Sequence, residues 1–191
     1  MKKHAATPSQ TVGPFFRLGM DHPEWSDLTA GGPRGDKIAI EGRVLDGDGA
    51  PVPDAILEIW HANAEGRYDH PEDARSDARP DPGFRGFGRA MTDDAGHYRF
   101  TTIRPGRVPG PGGALQAPHV NLTIFARGLL KQLVTRIYFA DEPSNQADPV
   151  LSGIGDAAAR RSLLAVRQPG GAGYRFDVVL QGEGETAFFD I

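Results

Sequence analysis

The 191-residue sequence contains no cysteine, which excludes disulfide staples, thiolate metal sites and cysteine nucleophiles and fits a reducing cytoplasm. It has no excess of basic charge either. Its 21 Lys and Arg against 25 Asp and Glu leave a formal charge of −4 and a pI near 5.8, with no electrostatic footprint for nucleic acid or anionic lipid. No stretch approaches the roughly 18 apolar residues of a membrane span, and the N-terminal MKKHAATPSQ lacks an apolar run of signal-peptide length. The expectation is a soluble, mildly acidic, cytoplasmic protein. Nucleophile-elbow, zincin, P-loop and Rossmann glycine motifs are missing as well.

Glycine (25) and proline (16) are abundant and dispersed. They punctuate short apolar runs, as in an all-β domain. The length suits one domain with a full core. Residues 1–36 carry Pro8, Gly13, Pro14, Pro23, Gly31, Gly32 and Pro33 without a sustained period, and are expected to form an extended arm preceding a domain over 37–191. Within that domain KIAIEGRVLD (37–46), DAILEIWHAN (54–63), HVNLTIFARG (119–128), QLVTRIYFAD (132–141) and YRFDVVLQGE (174–183) have strand character, and DDAG in RAMTDDAGHYRFTTI (89–103) marks a hairpin turn. The segment IGDAAARRSLLAV (154–166) has the composition of a short helix. Two long Pro/Gly-rich segments, 66–88 and 104–118, are expected to be loops, the first an active-site loop. About seven or eight short strands and one helix make a β-sandwich.

Of the 6 histidines, His4 and His22 in the arm, His70 in an acidic loop and His97 in a hairpin turn fit solvated surface. His61 ends a strand and fits a structural role. His119 differs, because Pro118 rigidifies its approach and a long loop delivers it. Asn121, two residues on, points to the same face of the strand; a histidine there would complete a ligand pair. The carboxylates Glu72, Asp73, Asp77 and Asp81 lack EF-hand spacing and fit a solvated loop face.

Six stretches together resemble the intradiol ring-cleavage dioxygenases: TPSQTVGPFF (7–16), GRVLDGDGAPVPDAILEIWHANAEGRY (42–68), GFGRAMTDDAGHYRFTTIRPG (86–106), APHVNLTIFARG (117–128), TRIYFADE (135–142) and YRFDVVLQGEGETAFFDI (174–191). The resemblance implies a β-sandwich and O₂-dependent opening of a catechol ring between its two hydroxylated carbons. It also implies Fe(III) held by two tyrosinates and two imidazoles, donors suited to that ion. Tyr68 keeps the first tyrosine position. Val108 stands at the second, His119 keeps the first histidine, Asn121 replaces the other, and Gln116 stands where a catalytic arginine is expected. Valine offers no donor atom, and the amide oxygen of asparagine is a weak neutral one. Losing the arginine also removes a positive charge that could stabilise the substrate.

Within this family the resemblance is to the iron-free chain of the two-chain members, whose pocket for protocatechuate and O₂ lies on a homologous iron-bearing β subunit at the interface, in a higher oligomer of α–β protomers. Thr11, Gly13, Pro14 and Arg127 match positions that line the partner's pocket. A guanidinium there would attract a carboxylated catechol. Two other readings stay open: a self-sufficient dioxygenase recruiting His61 or His97 as ligands, and a sandwich serving only as a carrier.

Overall fold

A computed structural model describes residues 6–190. His4, expected at the surface, lies outside the described residues. Strand β1 is Lys37–Leu45, β2 Ile56–Trp60, β3 Phe87–Met91, β4 His97–Ile103, β5 Val108–Pro109 and β6 Leu115–Gln116. Then come β7 His119–Phe125, β8 Leu133–Phe139, β9 Leu164–Arg167, β10 Gly173–Arg175 and β11 Val178–Val179. The helices are α1 Pro14–Met20, α2 Pro149–Gly153 and α3 Ala157–Ser162.

The alternation in KIAIEGRVL is the alternation of burial in β1, where Ile38, Ile40, Gly42 and Val44 point inward. One continuous sheet runs β11-β1-β10-β9-β8-β7-β2-β3, with β4 on the other edge of β1. It folds over on itself, so that Ile40 and Phe100 of the β1–β4 layer share one core with Leu57, Ile59, Leu122, Ile124 and Phe139 of the β2–β7–β8 layer. This is the two-layer all-β architecture expected, with β9 joining the layers by parallel pairing to β8 and antiparallel pairing to β10.

Five segments differ from expectation, the first being the hairpin expected at DDAG: the turn forms, but it joins β3, which pairs with β2, to β4, which pairs with β1. The arm is not merely extended: α1 starts at Pro14, whose fixed φ suits a first helical turn, and a 3-10 turn covers Pro23–Ser26. The helix expected over 154–166 is α3 alone, capped by the Asp156 side chain, after which Leu164–Arg167 leaves to pair with β8. Good helix formers lose to strand pairing there. The segment YRFDVVLQGE is two short strands, β10 and β11, both parallel to β1 and interrupted at Phe176 and Asp177. The interruption sits against Gly42, where an added Cβ would collide with the Phe176 carbonyl oxygen. Only glycine permits that approach. The proline-rich 104–118 segment forms the separate two-stranded β5–β6 ladder, with Pro109 on an edge that needs no donor.

Candidate functional site

The strand β7 puts His119 and Asn121 on one face, and the β2 register sets Asn121 opposite Trp60. The GRY turn brings Tyr68 to the same place. Asn63 builds it: its side-chain oxygen accepts from the Glu65 and Arg67 amides, both at 3.0 Å, and its Nδ2 donates to the Arg79 carbonyl at 2.9 Å. Gly66, at φ +79°, lets the turn lie against the chain carrying Val108, since a Cβ there would collide with the Arg107 carbonyl oxygen. Tyr68 stacks on Trp60, centroids 5.8 Å apart and planes 18° from parallel. Its backbone N–H donates to Asp73, which Arg75 grips through Nε at 2.7 Å.

Of the four positions implied for a metal site, Tyr68 and Val108 line one mouth, Asn121 lies against Tyr68, and His119 is buried on the Asn121 face of β7. Asn121 Nδ2 donates to the Trp60 carbonyl at 3.2 Å and reaches the Tyr68 hydroxyl at 3.5 Å. His119 is buried, and its Nδ1–H donates to the Ala117 carbonyl at 2.8 Å, the tautomer that leaves Nε2 with a lone pair. Burial, with a smaller push from the Arg136 charge, lowers the His119 pKa to about 4. Burial also raises the Tyr68 phenol, and no anionic form is favoured without a bound cation. Val108 is buried and pairs with Gln116 across the β5–β6 ladder. A mouth of about 410 Å³ opens beside these residues, lined by Trp60, Tyr68, Asp73, Arg75, Val108 and Pro109 among others.

These residues do not fit a ferric centre of the tyrosinate–imidazole kind. Tyr68 and His119 are two donors where four are needed, Val108 is hydrocarbon, and Asn121 turns its amide nitrogen toward the tyrosine oxygen. A guanidinium from another strand nonetheless reaches Gln116. Arg136 of β8, opposite Asn121, extends its guanidinium to Gln116 Oε1 at 2.6 Å and to the Tyr138 hydroxyl at 3.3 Å. Sequence reasoning missed this residue, although an arginine amid the apolar LVTRIYF strand was a signal that it must have a partner.

Other sequence-derived residues fall elsewhere. His61 is fully buried, with Nδ1 on the Ala62 carbonyl and Nε2 on the Thr102 hydroxyl, both at 2.8 Å, so neither nitrogen is free for a metal. His97 is exposed at the start of β4 and accepts from Arg43 Nε at 2.7 Å. His22 and His70 are exposed. The carboxylate group is only half solvated: Glu72 and Asp77 are exposed, whereas Asp73 holds Arg75 and Asp81 accepts from the Arg34 and Gly83 amides. Local turn geometry, invisible in spacing, draws those two inward.

A second cluster lies on the outer rim beyond the end of β7. Thr11 Oγ1 accepts from the Gly128 amide at 2.7 Å, and Phe16 packs on Phe125 at 5.6 Å. Asp54, in the left-handed region at φ +65°, joins Arg17 of the arm and Arg127, the latter at 3.2 Å. Thr11, Gly13, Pro14 and Arg127 are all exposed, and a Cβ added at Gly13 would meet none of the described residues within 4 Å.

A family model described as "Dioxygenase" matches residues 13–182. The chain belongs to the intradiol ring-cleaving dioxygenases. Within this family it is 41% identical to the protocatechuate 3,4-dioxygenase alpha chain of Pseudomonas putida, over 96% of each chain. Identity to the beta chain of the same enzyme from Burkholderia cepacia is also 41%, covering 87% of this chain and 74% of that one. The dioxygenase domain of a Streptomyces sp. SirexAA-E carbohydrate-binding fusion shares the fold at a TM-score of 0.63 and 24% identity, covering 95% and 100% of the two chains. Percentage identity thus does not separate alpha from beta, whereas end-to-end coverage favours alpha. In a dioxygenase of this family, the incomplete donor set is the feature that any account of function must explain.

Proposed function

We propose that this chain is the iron-free subunit of a cytoplasmic protocatechuate 3,4-dioxygenase, working on a carboxylated catechol beside a homologous iron-bearing β subunit in a higher oligomer of α–β protomers. The observation that carries this reading is the donor set: valine at 108 and asparagine at 121, in a chain that aligns end to end with an alpha chain. Fe(III) on the partner would supply the chemistry that activates the catechol toward O₂. The contribution of this chain would be to bind, orient and enclose the substrate.

The outer rim supports that role. Arg127 offers a guanidinium held at one end by Asp54, so less of its freedom is lost on meeting a carboxylate. The glycine at 13 answers no need among the described residues, which suits a surface approached closely by something outside the chain. Beside it Phe15 and Leu18 of α1 are 85% and 72% exposed, an apolar pair suited to burial against a partner. No specific observation favours recruitment of His61 or His97.

Expression of the chain alone and together with a candidate β subunit, followed by iron content, visible tyrosinate-to-iron absorbance and O₂ uptake with protocatechuate, tests the reading. Turnover is expected only from the pair. Stoichiometric iron and turnover by the lone chain would overturn it, and an inactive pair would point to a carrier. Within the pair, Arg127→Ala is expected to raise KM for protocatechuate roughly tenfold with iron content intact. Gly13→Ala should leave the unfolding midpoint of the lone chain unchanged and raise KM in the pair; an unchanged KM would reduce the glycine to a bend before Pro14.

A further inference from the structure

On the outer rim, Asp54 has a conformation that holding Arg127 does not by itself explain. Its φ of +65° is the only positive value of a non-glycine residue among the described residues, in a region that disfavours side chains and tolerates aspartate and asparagine best. Glycine would adopt it freely. A carboxylate is therefore kept here at a conformational cost. Continued two residues beyond the paired Ile56 and Phe125, the β2–β7 register sets Asp54 opposite Arg127. Its two oxygens are divided between cations: Oδ2 lies 3.2 Å from Arg127 Nη2, and Oδ1 meets Arg17 Nη1.

Fastening the arm does not require Arg17. Phe16 already packs on Phe125 and Thr11 takes the Gly128 amide, whereas exposed ion pairs add little to stability. Pro14 and Arg17 stand three residues apart in α1, on one face of the helix that Gly13 caps, so Arg17 belongs to the same surface as the positions already marked. One carboxylate between two guanidiniums leaves one positive charge in excess, and both arginine side chains keep access to solvent, 38% exposed at Arg17 and 58% at Arg127. Without Asp54 between them the two cations would repel each other. We propose that Arg17 is a second specificity-determining residue, forming with Arg127 a two-guanidinium clamp, spaced by Asp54, for the carboxylate of the ring acid. The planar fork of each guanidinium matches that group. This rests on the subunit reading and adds to it a residue that the sequence did not mark.

The pair with the candidate β subunit is prepared as the parent, Arg17→Gln, Arg17→Lys and Arg127→Ala. Inhibition of protocatechuate turnover is measured with 4-hydroxybenzoate and with phenol, ring probes that differ only in the carboxylate. Arg17→Gln is expected to raise the inhibition constant of 4-hydroxybenzoate roughly fivefold and that of phenol less than about twofold, and Arg17→Lys to recover most of the difference. An arm merely loosened by the substitution would weaken both probes alike. Co-purification and urea midpoints show that each pair is intact, and Arg17→Met replaces the glutamine variant if that one does not assemble. Equal shifts for the two probes, no shift for 4-hydroxybenzoate, or failure of both uncharged variants to assemble would overturn the proposal. If Arg127→Ala has its effect while Arg17→Gln has none, the clamp falls and the subunit reading stands; a parent pair without turnover removes both.

Discussion

Between pH 7 and pH 4.5 the lone chain is expected to lose about 5 kcal/mol of unfolding free energy, chiefly through two histidines. His61 and His119 are buried, and desolvation, the largest cause at each, lowers both pKa values to about 4. In the unfolded chain each returns to an ordinary value near 6.5. Because the folded value is the lower one, the unfolded state takes up protons first as the pH falls. The contribution is complete above about pH 6.5 and lost progressively toward pH 4, at roughly 2–3 kcal/mol per histidine by pH 4.5. For a domain whose whole stability is of the order of 5–15 kcal/mol, that is about a third or more of the total. Urea midpoints across this range give the slope. His61→Asn, which can still donate to the Ala62 carbonyl, should reduce the slope by about half. Equal midpoints at pH 7 and 4.5 in the parent chain would show that these imidazoles are not held neutral.

Asp148→Ala is expected to destabilise the chain by about 3–5 kcal/mol, because it strips the acceptor from a set of buried donors. The carboxylate is fully buried, and both of its oxygens accept hydrogen bonds. Oδ1 accepts from the Val150 and Leu151 amides at 2.9 Å, capping α2, and from the Tyr138 hydroxyl at 3.2 Å. Oδ2 accepts from the Ala117 amide at 2.7 Å. One side chain thereby ties a short helix to the segment that delivers His119 and to the tyrosine that steadies Arg136. The loss should appear as a lowered urea midpoint with an unchanged m-value. Asp148→Asn, retaining one acceptor oxygen, should lose less; a midpoint shift below about 1 kcal/mol for the alanine variant would mean that water replaces the carboxylate without penalty.

Elements whose residues carry their own periodicity were legible in the sequence. The inward face of β1 and the shared face of His119 and Asn121 follow from the two-residue period of a strand. The tight turn at DDAG follows from turn chemistry, with Asp93 accepting from the Ala95 and His97 amides and Gly96 at φ +74°, although the strands it joins pair with β2 and β1 and not with each other. The misread segments are those whose state depends on a distant partner. Leu164–Arg167 has helix-forming composition but completes a sheet between β8 and β10. The break in YRFDVVLQGE is set by an approach to Gly42, well over a hundred residues earlier.

The same division holds at the two sites. Residue order, through the family resemblance it carries, marked which donors to look for: a tyrosine at 68 and a histidine at 119, with a valine at 108 and an asparagine at 121 where the resemblance implies further ligands, because the presence of a ligand atom is a property of residue type. It also marked Thr11, Gly13, Pro14 and Arg127 as candidates. It took the folded chain to show that Asp54 draws the arm and Arg127 together and that a guanidinium from β8, that of Arg136, reaches Gln116 on the separate β5–β6 ladder. Charge and hydrogen bonding act through space between residues far apart in the chain, and their partners are fixed by how the sheet folds over, not by spacing along it.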